Sequence, residues 1–143
     1  MTGSTLFLLE KTDNFERSFR KLVKSYKSKL QQQEFIEVVS NYLEQLIVDP
    51  YPPQSRDEPL SGGMKIPELW TFHKLAFTTS KGASGKVRLI YLVNESERVI
   101  KPLWIYNHEQ FKKRPPDKDI KDVLKEAFEE NNLDENFEHS VNS

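Results

Sequence analysis

The octapeptide KVRLIYLV, residues 86–93, narrows more than any other stretch what this chain can become. Its β-branched and aromatic content reads as a strand, with SKGASG before it and NESE after it as turns. A period of two puts Arg88 on a face with Ile90 and Leu92, while Val87, Leu89, Tyr91 and Val93 face the other way. A guanidinium on an otherwise apolar strand face must reach a partner or an opening, because an unpaired buried charge is very costly. A phosphate is one such partner, and Glu68 or Glu109 is the other choice.

Two more strands flank this one: ELWTFHKLAFTT (68–79) and RVIKPLWIY (98–106). Short turns join the three into an antiparallel meander. Pro102 has no N–H for a ladder, so its strand is expected at an edge or bulged at that residue. Upstream, STLFLLE (4–10) reads as a short buried strand. Asp13 caps the helix after it, with Glu16 returning the bond. Phe15, Phe19, Leu22, Val23, Tyr26 and Leu30 form one helical stripe, with Arg17, Arg20, Lys21, Lys24 and Lys27 opposite. A second stripe, Phe35, Val38, Val39, Tyr42, Leu46 and Ile47, ends at DPYPP, and the joint is expected near Gln31–Gln33. YPPQSRDEPLSGG (51–63) reads as loop. A last helix starts near Pro116 and Asp117, striped by Ile120, Val123, Leu124, Ala127 and Phe128. The predicted class is α+β, in the order β-α-α-β-β-β-α, with the helices on one face of an antiparallel sheet.

Composition bounds the function. The chain has 143 residues, which suits one domain, and no cysteine, which excludes disulfides, thiolate chemistry and Cys-ligated metals. The run Leu6–Leu9 is too short for a signal or a membrane span, so a soluble cytoplasmic protein without a membrane partner is expected. The net charge of −1 hides an asymmetry. Residues 11–30 carry +5, 65–88 carry +4 and 101–114 carry +3, whereas 117–143 carry −6. A basic body of this kind suits a polyanion, or is simply a solvated surface. Residues 1–128 are read as one domain and 129–143 as an acidic, disordered tail with too few apolar residues to order.

Chemistry concentrates in WIYNHEQFKKRPPDKD, residues 104–119. His108 stands where a strand stops, and imidazole populates both protonation states near neutral pH. It is a proton carrier beside a phosphate, or a loop histidine bonded to its neighbours. Lys112, Lys113 and Arg114, with Lys86, form a backbone-binding set. Tyr106 and Phe111 could stack a base, although Phe111 also suits a cap on the core. The glycines of SGG and KGASG lack phosphate-loop spacing. His73 and His108 could meet in space, but without a fixed carboxylate they make no metal site.

The order of elements, together with FERSFRKLVKSYKSKL, DPYPPQSRDEPLSGG, VRLIYLV and YNHEQF, resembles the RelE/ParE superfamily of toxin–antitoxin toxins over residues 4–128. The resemblance implies a small cytoplasmic toxin neutralised by a cognate antitoxin. In the RelE-like branch it implies an endoribonuclease that cleaves messenger RNA on the ribosome and needs no cofactor. In the ParE-like branch it implies a gyrase inhibitor, and a catalytically inactive binding member is the further alternative. It assigns Arg88 to the scissile phosphate, His108 to acid or base work, and His73 to a second proton transfer. The family commonly has two lysines at alternate positions of the strand over 68–79. Here that alternation falls on Thr71 and His73, with Lys74 on the other face, and His73 also suits a satisfied core position.

Overall fold

In the computed structural model the chain is described over residues 6–80 and 82–142, with side chains through Glu129. The expectation of an acidic, disordered tail over 129–143 falls almost wholly on residues whose side chains, from 130 onward, lie outside the described set. The elements are β1 (Leu8–Leu9), α1 (Asp13–Ser25), α2 (Lys29–Val48), β2 (Ser55–Asp57), β3 (Trp70–Thr78), β4 (Lys86–Asn94), β5 (Val99–Asn107) and α3 (Asp117–Asn142). The architecture is α+β, with one five-stranded sheet ordered β1-β5-β4-β3-β2.

Three features of that sheet differ from expectation. First, β1 pairs with β5 in parallel, so the sheet is mixed. A two-residue strand reached by way of α1 and α2, rather than a tight turn, is free to lie in either direction. Second, part of the segment read as loop forms β2, an antiparallel edge on β3 in which Arg56 faces Lys74 and Asp57 faces His73. Its flanking prolines mask a strand of three residues. Third, the helices do not share a face. Phe15, Leu22, Phe35, Val39 and Leu46 of α1 and α2 pack on Leu75, Leu89, Tyr91 and Val93. On the opposite face, Ile120, Val123, Leu124 and Ala127 of α3 pack on Phe72, Ile90, Leu92 and Leu103. β4 carries apolar residues on both faces, so each needs its own cover.

Pro102 sits at the bulge anticipated for it. Tyr91 pairs with Pro102 and Ile90 with Trp104, so Leu103 is left without a register partner. The Pro102 carbonyl is not stranded, since it accepts from the Thr12 hydroxyl at 2.8 Å and from the Thr12 amide at 3.3 Å. That contact decides the cap of α1. Thr12, not Asp13, is the N-cap, and its oxygen accepts from the Phe15 amide at 3.2 Å. The helical hairpin also breaks earlier than the apolar stripe indicates. Tyr26 closes α1, and the Ser28 hydroxyl opens α2 by accepting from the Gln31 amide at 3.1 Å. Leu30 therefore falls in the first turn of α2, exposed, rather than on the stripe of α1.

Candidate functional site: a cationic cleft on the α3 face

The even-numbered face of β4 carries Arg88, Ile90 and Leu92. Ile90 and Leu92 are sealed beneath α3, but Arg88 lies beyond that helix and is half-buried. Its register partners are Ala76 on β3 and Tyr106 on β5. Among the described residues the one hydrogen bond of its guanidinium is from Nη1 to the Val87 carbonyl, at 3.1 Å. Neither Glu68 nor Glu109 pairs with it. The guanidinium instead lines an open cleft of about 780 Å³ that also contains His108, Lys74, Arg56, Lys112, Lys113 and Arg114. Six cations and the carboxylates of Asp57, Glu58 and Asp117 line this cleft, a cationic excess suited to an anion.

His108 follows Tyr106 by two residues, past the last residue of β5. Its amide donates to the Lys86 carbonyl at 2.9 Å and extends the β4–β5 ladder by one step. The turn after it is locked reciprocally. The Asn107 amide donates to Gln110 Oε1 at 3.0 Å, and the Gln110 amide donates to Asn107 Oδ1 at 2.9 Å. The imidazole of His108 makes no hydrogen bond to the described residues and is half-buried at the cleft wall. Asn107 and Gln110 escaped the sequence reading. The signal was present as an Asx residue followed three positions later by Gln at a strand end.

Lys74 is the larger omission. The alternation that puts Thr71 and His73 on one face of β3 puts Lys74 on the other, which is the face of Arg88 and His108. Lys74 is buried, and its amine lies 3.5 Å from Glu58 Oε1. Burial pushes its ammonium below the ordinary lysine range, and the Glu58 charge opposes this. Lys74 lies three residues after Thr71, on the side of the strand where the cleft is.

Several predicted members have other work. His73 lies on the α1–α2 face, buried against Tyr91 with ring centroids 5.5 Å apart, and does not share a site with His108 and Arg88. Period two across a single strand separates it from them. Tyr106 is fully buried, and its hydroxyl donates toward the Lys113 carbonyl at 3.5 Å, so it offers no ring to a base. Phe111 meets Trp104 and Tyr106 edge-on, at 5.9 and 5.7 Å, and caps the core. Arg114 donates to Glu58 Oε2, the Pro59 carbonyl, Ser61 Oγ and Asp117 Oδ1, all within 3.0 Å. It is a clamp between the β2 edge and α3 rather than a free cation. Lys112 and Lys113 are exposed at the rim, and Lys86 is exposed on the Arg88 face of β4.

No helix among the described residues is long and apolar enough to cross a membrane. No family model matches the chain, and no curated protein matches it. Solved structures do. A chain of the RelE-RelB complex from Pyrococcus horikoshii OT3 aligns over 71% of this chain and 94% of its own length, with 16% identity and a TM-score of 0.44. A mutant of the E. coli toxin RelE in the free state aligns over 87% and 97%, with 14% identity and a TM-score of 0.45. A metal-bound toxin from Helicobacter pylori aligns over 74% and 99%, with 21% identity and a TM-score of 0.42.

Proposed function

We propose that this chain is a RelE-like toxin that cleaves messenger RNA in the cationic cleft, associates with the ribosome to do so, and is neutralised by a cognate antitoxin. The observation carrying this reading is that His108 and Arg88, drawn from the ends of two paired strands, line one open cleft with Lys74. In the reaction, the 2′-oxygen attacks the adjacent phosphorus and the bond to the 5′-oxygen breaks. The products are a 2′,3′-cyclic phosphate and a free 5′-hydroxyl. One group takes the 2′-proton and another supplies a proton to the leaving oxygen. His108 performs one of these transfers. Lys74, whose burial eases loss of its proton, stands in the place that the sequence reading gave to His73. Each transfer contributes about 10²–10⁴-fold. Arg88, positioned beforehand by the strand, bears the charge that develops on the phosphoryl oxygens, a contribution of about 10²–10³-fold.

The test compares the wild type with His108→Ala and Arg88→Ala, both on purified RNA and on translating ribosomes, alongside growth after induced expression. Cleavage and arrest by the wild type, lost in both variants, are expected. Equal toxicity of all three, with gyrase-dependent DNA damage, would overturn the nuclease reading in favour of a ParE-like inhibitor.

A further inference from the structure

The α1–α2 side of the sheet holds a second polar cluster that RNA cleavage does not use. Asp57 and His73 are register partners across β2 and β3, and Thr71 is the next residue on the same face of β3. Asp57 Oδ1 lies 3.3 Å from His73 Nδ1. On the other side of the ring, His73 Nε2 lies 2.6 Å from Thr71 Oγ1. With the ring neutral, Nδ1–H donates to the carboxylate and Nε2 accepts from the hydroxyl, whose oxygen also lies 3.5 Å from the Val93 carbonyl. Carboxylate, imidazole and hydroxyl thus stand in line in the order that activates an alcohol as a nucleophile, a constellation recognised by geometry rather than by sequence position.

The imidazole of this relay is enclosed, while the Asp57 carboxylate lies in solvent. The His73 ring is held by packing, buried and flanked by Tyr91 at 5.5 Å and Tyr51 at 5.0 Å, and burial favours the neutral base over the cation. Asp57 from β2 and Glu95 from the turn after β4 are the acidic groups facing it, and they oppose that shift. Thr71 is exposed, so its hydroxyl is open to a reactant. The cluster opens into its own cleft of about 600 Å³, lined by Tyr51, Pro52, Pro53, Arg56 and Glu95 besides the three relay residues. Arg56, the register partner of Lys74, borders this cleft as well as the cationic one.

We infer that Asp57, His73 and Thr71 form a second reactive centre, in which the Thr71 hydroxyl accepts an acyl group from esters of short carboxylic acids. Thr71 Oγ1 bonds to the carbonyl carbon as its proton passes to His73 Nε2. The carbon–oxygen bond to the alcohol then breaks, and the alcohol departs with that proton. Water repeats the path to release the acid and restore Thr71. Asp57 is a positioning residue that fixes the tautomer of His73. Asp57 and Arg56 border the cationic cleft as well, whereas Thr71 and His73 line only this one.

The experiment uses 4-nitrophenyl acetate with the full chain, following nitrophenolate release and mapping acetylation by mass spectrometry after an acid quench. The wild type is expected to carry acetyl on Thr71, with a rate that climbs from acidic pH to a plateau as His73 loses its proton. Thr71→Val, an exposed and nearly isosteric change, should lower the rate by about 10²-fold or more, and His73→Gln by a similar factor. Asp57→Asn should lower kcat and alter the pH profile, since an amide no longer enforces one tautomer. Circular dichroism of Thr71→Val reports that the sheet is intact. Undiminished turnover in Thr71→Val, acetyl found on lysines alone, or a wild-type rate no higher than that of Thr71→Val would overturn the proposal.

Discussion

The Arg114 guanidinium holds the Glu58 carboxylate at 3.0 Å, while the other oxygen of Glu58 lies 3.5 Å from the Lys74 amine. One buried acid therefore ties two cations from different parts of the chain to the β2 edge. The Glu58 side chain is 4% exposed, so solvent cannot replace what it supplies. Removing one partner of a buried pair leaves an uncompensated charge and costs about 3–5 kcal/mol. Glu58→Gln is expected to destabilise the fold by that order, as urea denaturation would show. Lys112→Ala, at the exposed rim, should leave the midpoint nearly unchanged.

Cleavage should depend on the turn that presents His108 as well as on the imidazole. His108→Ala is expected to lower single-turnover RNA cleavage by about 10²–10⁴-fold. Gln110→Ala removes the side-chain half of the lock, the bond from the Asn107 amide, but keeps the backbone half and leaves the imidazole in place. It should lower the cleavage rate less than His108→Ala does, with little change in RNA affinity. If Gln110→Ala matched His108→Ala with unchanged affinity, the turn rather than the imidazole would be the determinant.

Lys112 and Lys113 stand exposed at the cleft rim, where the proposed function makes them phosphate contacts. Each contact on single-stranded RNA adds about −0.7 to the slope of log K against log salt. The double variant Lys112→Ala/Lys113→Ala should therefore shallow that slope by about 1.4. Arg114 already spends its donors on protein acceptors, so Arg114→Lys should change stability more than salt dependence. Fluorescence anisotropy across a salt series checks both.

His73 makes stability depend on pH with a definite sign. Burial lowers its pKa from the ordinary value of about 6.5. Between the native and unfolded pKa values the unfolded chain binds more protons, so stability rises with pH across that window. The contribution is complete above the unfolded value and is lost as pH falls through the native one. Melting temperatures from pH 4 to pH 8 should show a steeper acid-side fall for the wild type than for His73→Gln.

Gly62 has a φ of +63°, and a Cβ there would meet the Asp117 Cβ and Oδ2 at 2.9 Å. Gly62→Ala therefore combines left-handed strain of about 1–2 kcal/mol with displacement of Asp117. Asp117 accepts from both Arg114 and Ser61, so the start of α3 should loosen as well. A lower melting temperature, with faster amide exchange over the first turn of α3, is the expected outcome.

Local pattern settled much of this protein. Period-two alternation put Arg88 on the face opposite Tyr91, and the absent N–H of Pro102 marked the bulge. The apolar stripes located α1, α2 and the start of α3 because each rule acts within a few residues. The same alternation separated Lys74 from His73, yet it did not say which face would open into a cleft. That depended on where α3 lies, and on Arg114 and Glu58, 56 residues apart, meeting to close the β2 edge. The cap at Thr12 was likewise decided by a carbonyl 90 residues away. Sequence fixes which side chains share a strand face or a helix stripe, since covalent geometry sets those periods. Only the tertiary structure decides which of those faces is sealed and which is left open to a ligand, because burial depends on segments far apart in the chain packing against one another.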